Sequence, residues 1–425
     1  MTKEMKNTPT IRFKNFTDAW EQRKLKDVFT SLQNNTLSRS DLNGECGIAL
    51  NIHYGDILTK YGEFIDISNE NIPYITNEKN VDKFNNSHLK NGDIIIADTA
   101  EDETVGKCTE INGITNQIVI SGLHTIPLRP KIKFAKGYLG IYFNSYAYHN
   151  QLRPLMHGIK VTSISKSSIQ DTNIVYPFYL DEQEKIGQYF LHIDNLITLH
   201  QRKLDHLNKL KTYFLQNLFP AKGEKVPKVR FKEFTGDWEQ RKLRDIAERV
   251  VEKNVALTEH ETFTNSAEFG IISQTNFFDH GITNEENIGN YYIVHSDDFV
   301  YNPRISVKAP VGPINRNKLG RSGVMSPLYI IFRSHDIDTN YLEYYFKTNY
   351  WHSFMHFNGD TGARSDRFNI KIELFYEMPI PTPEVDEQRK IGNLLEIITD
   401  IITLHQHQLD QLQSFKKFML QNMFV

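Results

Sequence analysis

Two segments of this chain occur twice, in the same order. Residues 9–27 read PTIRFKNFTDAWEQRKLKD and residues 227–245 read PKVRFKEFTGDWEQRKLRD, with 13 of 19 positions identical. Residues 181–219 open on DEQEKIG and close on LQNLF, while residues 386–424 open on DEQRKIG and close on LQNMF, with 20 of 39 positions identical. Average composition gives only about two or three coincidences over such lengths. The chain is therefore two tandem units, each an entry segment, a long middle and a closing segment. The two middles, roughly 28–180 and 246–385, hardly resemble each other in sequence. A repeated frame around unlike inserts suits the display of two different binding surfaces at a set separation.

The closing segments carry the clearest periodicity. Ile186, Phe190, Ile193, Ile197, His200, Leu204, Leu207, Lys211, Phe214 and Leu218 follow one another in steps of three and four. Their counterparts are Ile391, Leu395, Ile398, Ile402, His405, Leu409, Leu412, Lys416, Met419 and Met423. That spacing is the seam of a coiled coil. Prolines (Pro177 before one; Pro379, Pro381 and Pro383 before the other) end the preceding segments, and 220–227 is a polar linker with a proline at each end. A lone helix of this length cannot hide such a seam. The tandem repeat supplies the partner, and antiparallel pairing is the arrangement expected of a duplication. The matched His200 and His405 read as a polar layer that fixes register, in preference to a metal or pH site.

The middles mix β-like runs, such as 93–97, 117–120, 299–301 and 328–332, with aromatic helical stretches near 137–153 and 340–355. Each is expected to be a compact α/β domain. The expected divisions are 1–180 and 220–385 for the two domains, and 181–219 and 386–425 for the helices. Trp20 and Trp238, inside FTxxWEQRKL, read as packing residues.

Net charge is only −3, with 39% hydrophobic and 24% charged residues, but the average hides a pattern. No acid occurs from Ser121 to Gln170, where Arg129, Lys131, Lys133, Lys136, Arg153, Lys160 and Lys166 lie. None occurs from Phe299 to His335, which holds Arg304, Lys308, Arg316, Lys318, Arg321 and Arg333. Bases interleaved with Tyr, His, Asn and Ser suit a surface that faces phosphates and base edges. The residues expected to contact nucleic acid are Lys160, Ser163, Ser165 and Lys166 in the first domain, and Arg304, Lys308, Arg316, Arg321, Arg364 and Arg367 in the second. The polar loop 360–367 reads equally as a nucleic-acid contact or an exposed turn.

Motifs of catalysis are missing. No phosphate loop, G-x-G-x-x-G, H-E-x-x-H, G-x-S-x-G or paired C-x-x-C is present. The carboxylates at 181–184 and 386–387 read as helix N-terminal charge, not as a nuclease centre. Cys46 and Cys108 lack metal-ligand spacing and read as reduced thiols. No signal-peptide core opens the sequence and no run is apolar enough for a membrane helix. A cytoplasmic protein without membrane partners is expected.

Two variable domains, each followed by a repeated long helix, resemble the specificity subunit of type I restriction–modification systems. The doubled FTxxWEQRKL (16–25, 234–243) and DEQxKIG (181–187, 386–392) carry the resemblance, which runs the length of the chain. It implies a subunit without catalytic residues, whose two target recognition domains read the halves of a split, asymmetric double-stranded DNA site. It implies helices that set the gap and dock two methyltransferase subunits, with up to two motor–nuclease subunits added. It also implies that S-adenosylmethionine, ATP and magnesium belong to those partners, with no cofactor or metal in this chain. Two rivals stand against it: a coiled-coil scaffold that binds no DNA, and a nuclease with an unfamiliar site.

Overall fold

The computed structural model describes residues 7–77, 79, 81–158, 160–277, 285–362 and 366–425. Contacts divide the chain into two units, 1–201 with 407–425, and 202–406. The divisions fall inside both long helices.

In the first unit, Ile94–Ala97 is fully buried on both faces, as a continuous apolar run with β-branched residues predicts. It sits at the centre of a five-stranded sheet in the order Phe29–Ser31, Thr125–Pro130, Ile94–Ala97, Cys108–Asn112, Phe64–Asp66. All neighbours are antiparallel except the last pair. One face packs on the aromatic helices Tyr138–Phe143 and Tyr146–Leu152. The other shares a core with a four-stranded sheet built around Ala49–Ile52.

The second unit repeats the central sheet: Ala247–Arg249, Ile330–Ser334, Phe299–Tyr301, Ile314–Arg316. Among the described residues its second sheet is a hairpin, Phe263–Ser266 with Gly270–Ser273, and a pair, Tyr292–Val294 with Gly323–Met325. The unlike sequences of the middles thus hide one framework. Within each unit an arginine of the central sheet bonds a buried aspartate, Arg129 to Asp93 and Arg333 to Asp298. In each, the aspartate also accepts from the amide three residues earlier, that of Lys90 or His295.

The repeated segments build a repeated joint. The EQRK strands, Glu21–Lys24 and Glu239–Lys242, pair antiparallel with Asn173–Tyr176 and Pro379–Thr382, the strands that lead into the long helices. Those helices run Leu180–Asn217 and Val385–Asn422. Glu182 and Glu387, read from sequence as helix-terminal charge, are buried and take bidentate bonds from Arg12 and Arg230 of the entry segments. Ion pairing, more than the helix dipole, is their role. Gln183 and Gln388 donate to the carbonyls of Pro177 and Pro383 and accept from the amides of Ala135 and Asp338. Gly187 and Gly392 let each helix approach the start of the aromatic helix: an added Cβ would lie 3.0 Å from the Lys136 oxygen or 2.9 Å from the Asn340 Cβ. DEQxKIG is therefore a clasp.

The helices run antiparallel in both units. In the first, Phe190 stacks near Phe424 and Lys416 pairs with Asp194 at 2.6 Å and Glu63 at 2.6 Å. In the second, Leu218 and Phe219 share a core with Ile391 and Leu395. The LQNxF endings close each domain core, with Phe424 against Trp20 and Phe219 against Tyr341, which in turn meets Trp238. Both tryptophans are buried. The Asn422 carbonyl accepts from the Ile11 amide and the Asn217 carbonyl from the Val229 amide, both at 2.9 Å. Along the seam Ile193, Leu204, Ile398 and Leu409 are buried, while Ile197, His200, Leu207, Ile402, His405 and Leu412 are half-buried.

Candidate nucleic-acid interface

The central strand leaves each domain core at the same place. Thr99 lies six residues after Asp93, and Arg304 six residues after Asp298. Each then pairs with a segment shortly before its closing helix. Thr99 faces Ser163 across an antiparallel pair, and Arg304 faces Arg367 across an antiparallel bridge. The Ile164 amide donates to the Asp98 carbonyl and the Phe368 amide to the Pro303 carbonyl, both at 2.8 Å. These two ribbons occupy matching registers and carry different side chains.

In the second domain the ribbon borders a cleft of about 620 Å³ that also takes in Asn265, Asn302, Ser306 and Lys308. The cleft floor is held by amides: Asn302 donates to the Asn265 carbonyl at 2.7 Å and Asn315 to the Asn265 side-chain oxygen at 2.6 Å. Ser306 and Ala309 close a tight turn through paired backbone bonds, which holds Val307 fully exposed at its tip. Lys308 pairs with Glu268 at 2.8 Å.

Only part of the expected contact set meets here. Arg304, Lys308 and Arg367 converge on the cleft. Arg316 does not: it is 7% exposed and bonds Glu343 at 2.9 Å and Asn340 at 2.7 Å. It belongs to the interior, which corrects its assignment to the DNA face. Arg321 forks onto Glu261, whose bonds hold the guanidinium charge more firmly than usual. Arg364 lies outside the described residues.

In the first domain Ser163 sits on the ribbon and Lys160 is exposed in the loop before it. Ser165 instead caps the short helix Lys166–Gln170, accepting from the Ser168 amide. Lys166 donates to the Leu32 carbonyl at 2.8 Å, and burial lowers its pKa. Both are exposed but already bonded within the domain, which leaves them less available to DNA than Lys160 and Ser163. The physical reason covers Arg316 and Arg321 too. A stretch without acids in sequence meets acids and carbonyls in space, and here Asp93, Asp298, Glu261 and Glu343 absorb its bases.

Sequence reasoning missed the first domain's neighbours of Thr99. Thr99 donates to Asp98 at 2.7 Å and touches His124 Nδ1 at 3.3 Å. Tyr54 meets the His124 ring edge-on at 5.2 Å and the His53 ring at 4.7 Å. Burial lowers the His53 pKa, with Arg39 and His124 adding to the effect and Asp56 opposing it. The six-residue spacing from Asp93 and Asp298 was the available signal. Among the described residues no group of three or more His, Cys, Asp or Glu could hold a metal ion, and no helix is long and apolar enough to cross a membrane.

The sequence model of the type I restriction modification DNA specificity domain matches residues 17–209 and again 235–414. The chain is 24% identical over 432 residues, 94% of its length and 91% of the relative's, to a putative type I restriction enzyme MjaX specificity subunit of Methanocaldococcus jannaschii. It is 23% identical over 286 residues, 63% of its length and 64% of the relative's, to the MjaVIII specificity subunit of the same organism. The crystal structure of a type I restriction-modification system S subunit from M. genitalium shares its fold, with a TM-score of 0.57 over 98% of this chain and 99% of that one at 11% identity. The chain belongs to the type I restriction modification DNA specificity domain family, and it is a non-catalytic subunit that recognises DNA sequence.

Proposed function

We propose that the two ribbons are the reading elements, one for each half of a split site. The observation that carries this is the matched register of Thr99–Ser163 and Arg304–Arg367 on one framework. A shared scaffold with unlike side chains at one place reads two unlike sequences, so the site is not a palindrome. Residues 1–180 and 220–385 act as the readers. Each 38-residue helix is about 57 Å long at 1.5 Å per residue, a length suited to setting the gap between the halves.

The helices also offer docking faces. Leu199 and Tyr213 on the first are exposed, as are their repeat counterparts Leu404 and Phe418 on the second. Exposed apolar positions repeated in this way mark interaction surfaces. Two matched faces fit two methyltransferase subunits, with up to two motor–nuclease subunits joining them, in the cytoplasm. S-adenosylmethionine, ATP and magnesium act on those partners.

The test is a map of methylated adenines in cells that carry this chain and its methyltransferase. The expected result is a motif of two different halves around a fixed gap, methylated on both strands. Steep salt dependence of DNA binding by the complex should accompany it. A complex that binds DNA with no sequence preference would refute the two-reader arrangement.

A further inference from the structure

Two arginines of the second recognition domain stand directly opposite each other. The bridge between Arg304 and Arg367 is fixed by bonds from the Ile305 amide to the Asp366 carbonyl at 3.0 Å and from the Phe368 amide to the Pro303 carbonyl. Facing residues of an antiparallel pair put their side chains on one side, and like charges there repel. Asp366 lies 4.0 Å from Arg304, with both side chains more than half exposed, and such a pair offsets little. Other arginines of the same domain are treated differently: Arg316, Arg321 and Arg333 each have a close carboxylate partner. The first domain puts the neutral Thr99 and Ser163 at the same register. A local repulsion kept in one domain, and absent from its structural twin, marks a place shaped for a ligand.

The ligand must bring acceptors to the fork. A two-stranded ribbon fits the DNA major groove, where guanine presents its N7 and O6 side by side to a guanidinium. The Ser306 hydroxyl on the same cleft can also donate to a base edge. We propose that Arg304 and Arg367 form a fork that reads a guanine in the half-site bound by the second recognition domain. This rests on the two-reader function above.

The test uses the chain assembled with its methyltransferase, whose methylation map supplies the site. Duplexes of that site are made with 7-deazaguanine at one guanine at a time, which deletes N7 and keeps base pairing. One guanine, in one half only, should weaken binding about tenfold when replaced, within the range of a bidentate contact. Arg304→Ala should show a similar loss on the unmodified duplex, no longer sense the replacement, and methylate sites with other bases at that position. Its melting temperature should not fall, because repulsion is relieved; an arginine needed for folding would lower it. Arg304→Lys should keep the salt dependence without restoring the guanine preference.

If no guanine replacement matters to the wild-type complex, the inference is wrong, whatever the variants do. It is equally wrong if Arg304→Ala and Arg367→Ala weaken all sequences alike and flatten the salt dependence, since the pair would then be a phosphate clamp. A wild-type map without a split motif would sink the underlying function instead.

Discussion

The two recognition domains agree in what holds them together and differ in what they display. Arg129 with Asp93 and Arg333 with Asp298 make the same bonds, as do Arg12 with Glu182 and Arg230 with Glu387. The ribbons that leave those frames carry two hydroxyls in one case and two guanidinium groups in the other. A charge repeated in both domains therefore belongs to the frame, and a side chain found in only one is a candidate reader. Neither charge nor exposure alone makes that separation.

The sharpest way to break the comparison is to cut a frame pair. Glu182 and Glu387 are buried, so Arg12→Ala or Arg230→Ala leaves a carboxylate without its partner. A cost of about 3 kcal/mol is expected from each. Chemical denaturation should find similar losses for the two variants, although they lie in different domains. A loss confined to one would show that the frames are not energetically equivalent.

The clasp glycines come next. A Cβ at Gly187 or Gly392 meets backbone or side-chain atoms at about 3 Å. Alanine there forces a helix off its domain, at about 1–3 kcal/mol. Because the same helices carry the proposed docking faces, both variants should also weaken methyltransferase binding, measurable by calorimetry on the purified partners. Full stability with weakened docking would separate the clasp from the core.

Much of this frame was legible in the sequence. Repeats exposed the duplication, and the three-and-four spacing placed every seam residue at a position at least half-buried. The shared fold of the middles was less legible, because only its interior positions repeat. YLGIYF at 138–143 and YLEYYF at 341–346 build matching aromatic helices, yet four shared letters do not stand out in a whole domain. The candidate contact residues were least legible. Arg304 and Arg316 lie twelve residues apart in one acid-free stretch, and only the fold reveals that Glu343 takes the second and leaves the first exposed. Burial and pairing across the chain decide which bases stay available, and linear charge does not encode them.

A smaller effect sharpens the reading difference itself. Thr99→Ala and Ser163→Ala remove hydroxyls that can each contribute about 1 kcal/mol through a neutral hydrogen bond. Methylation maps should relax in the first half-site and stay fixed in the second. Relaxation in both halves would mean that the ribbons do not read independently.

The smallest expected effect tests the frame through pH. His149, in the helix Tyr146–Leu152, and His352, which opens the helix His352–Asn358, each follow a buried aromatic, Tyr148 or Trp351. Burial lowers the pKa of both, with Arg153 adding to the effect at His149 and His356 at His352, while a bond to the Gly106 backbone opposes it at His149. A base with a depressed folded pKa stabilises the fold above its unfolded value, near 6.5, and loses that contribution as pH falls through the folded value. Stability should thus decline on acidification below about 6.5 partly because these rings must take up protons. His149→Gln and His352→Gln should each reduce that decline, so the stability difference from wild type shrinks between about pH 7 and 5. If only one variant does so, following a buried aromatic does not give the two rings a like environment, and the frame is shared in geometry but not in electrostatics.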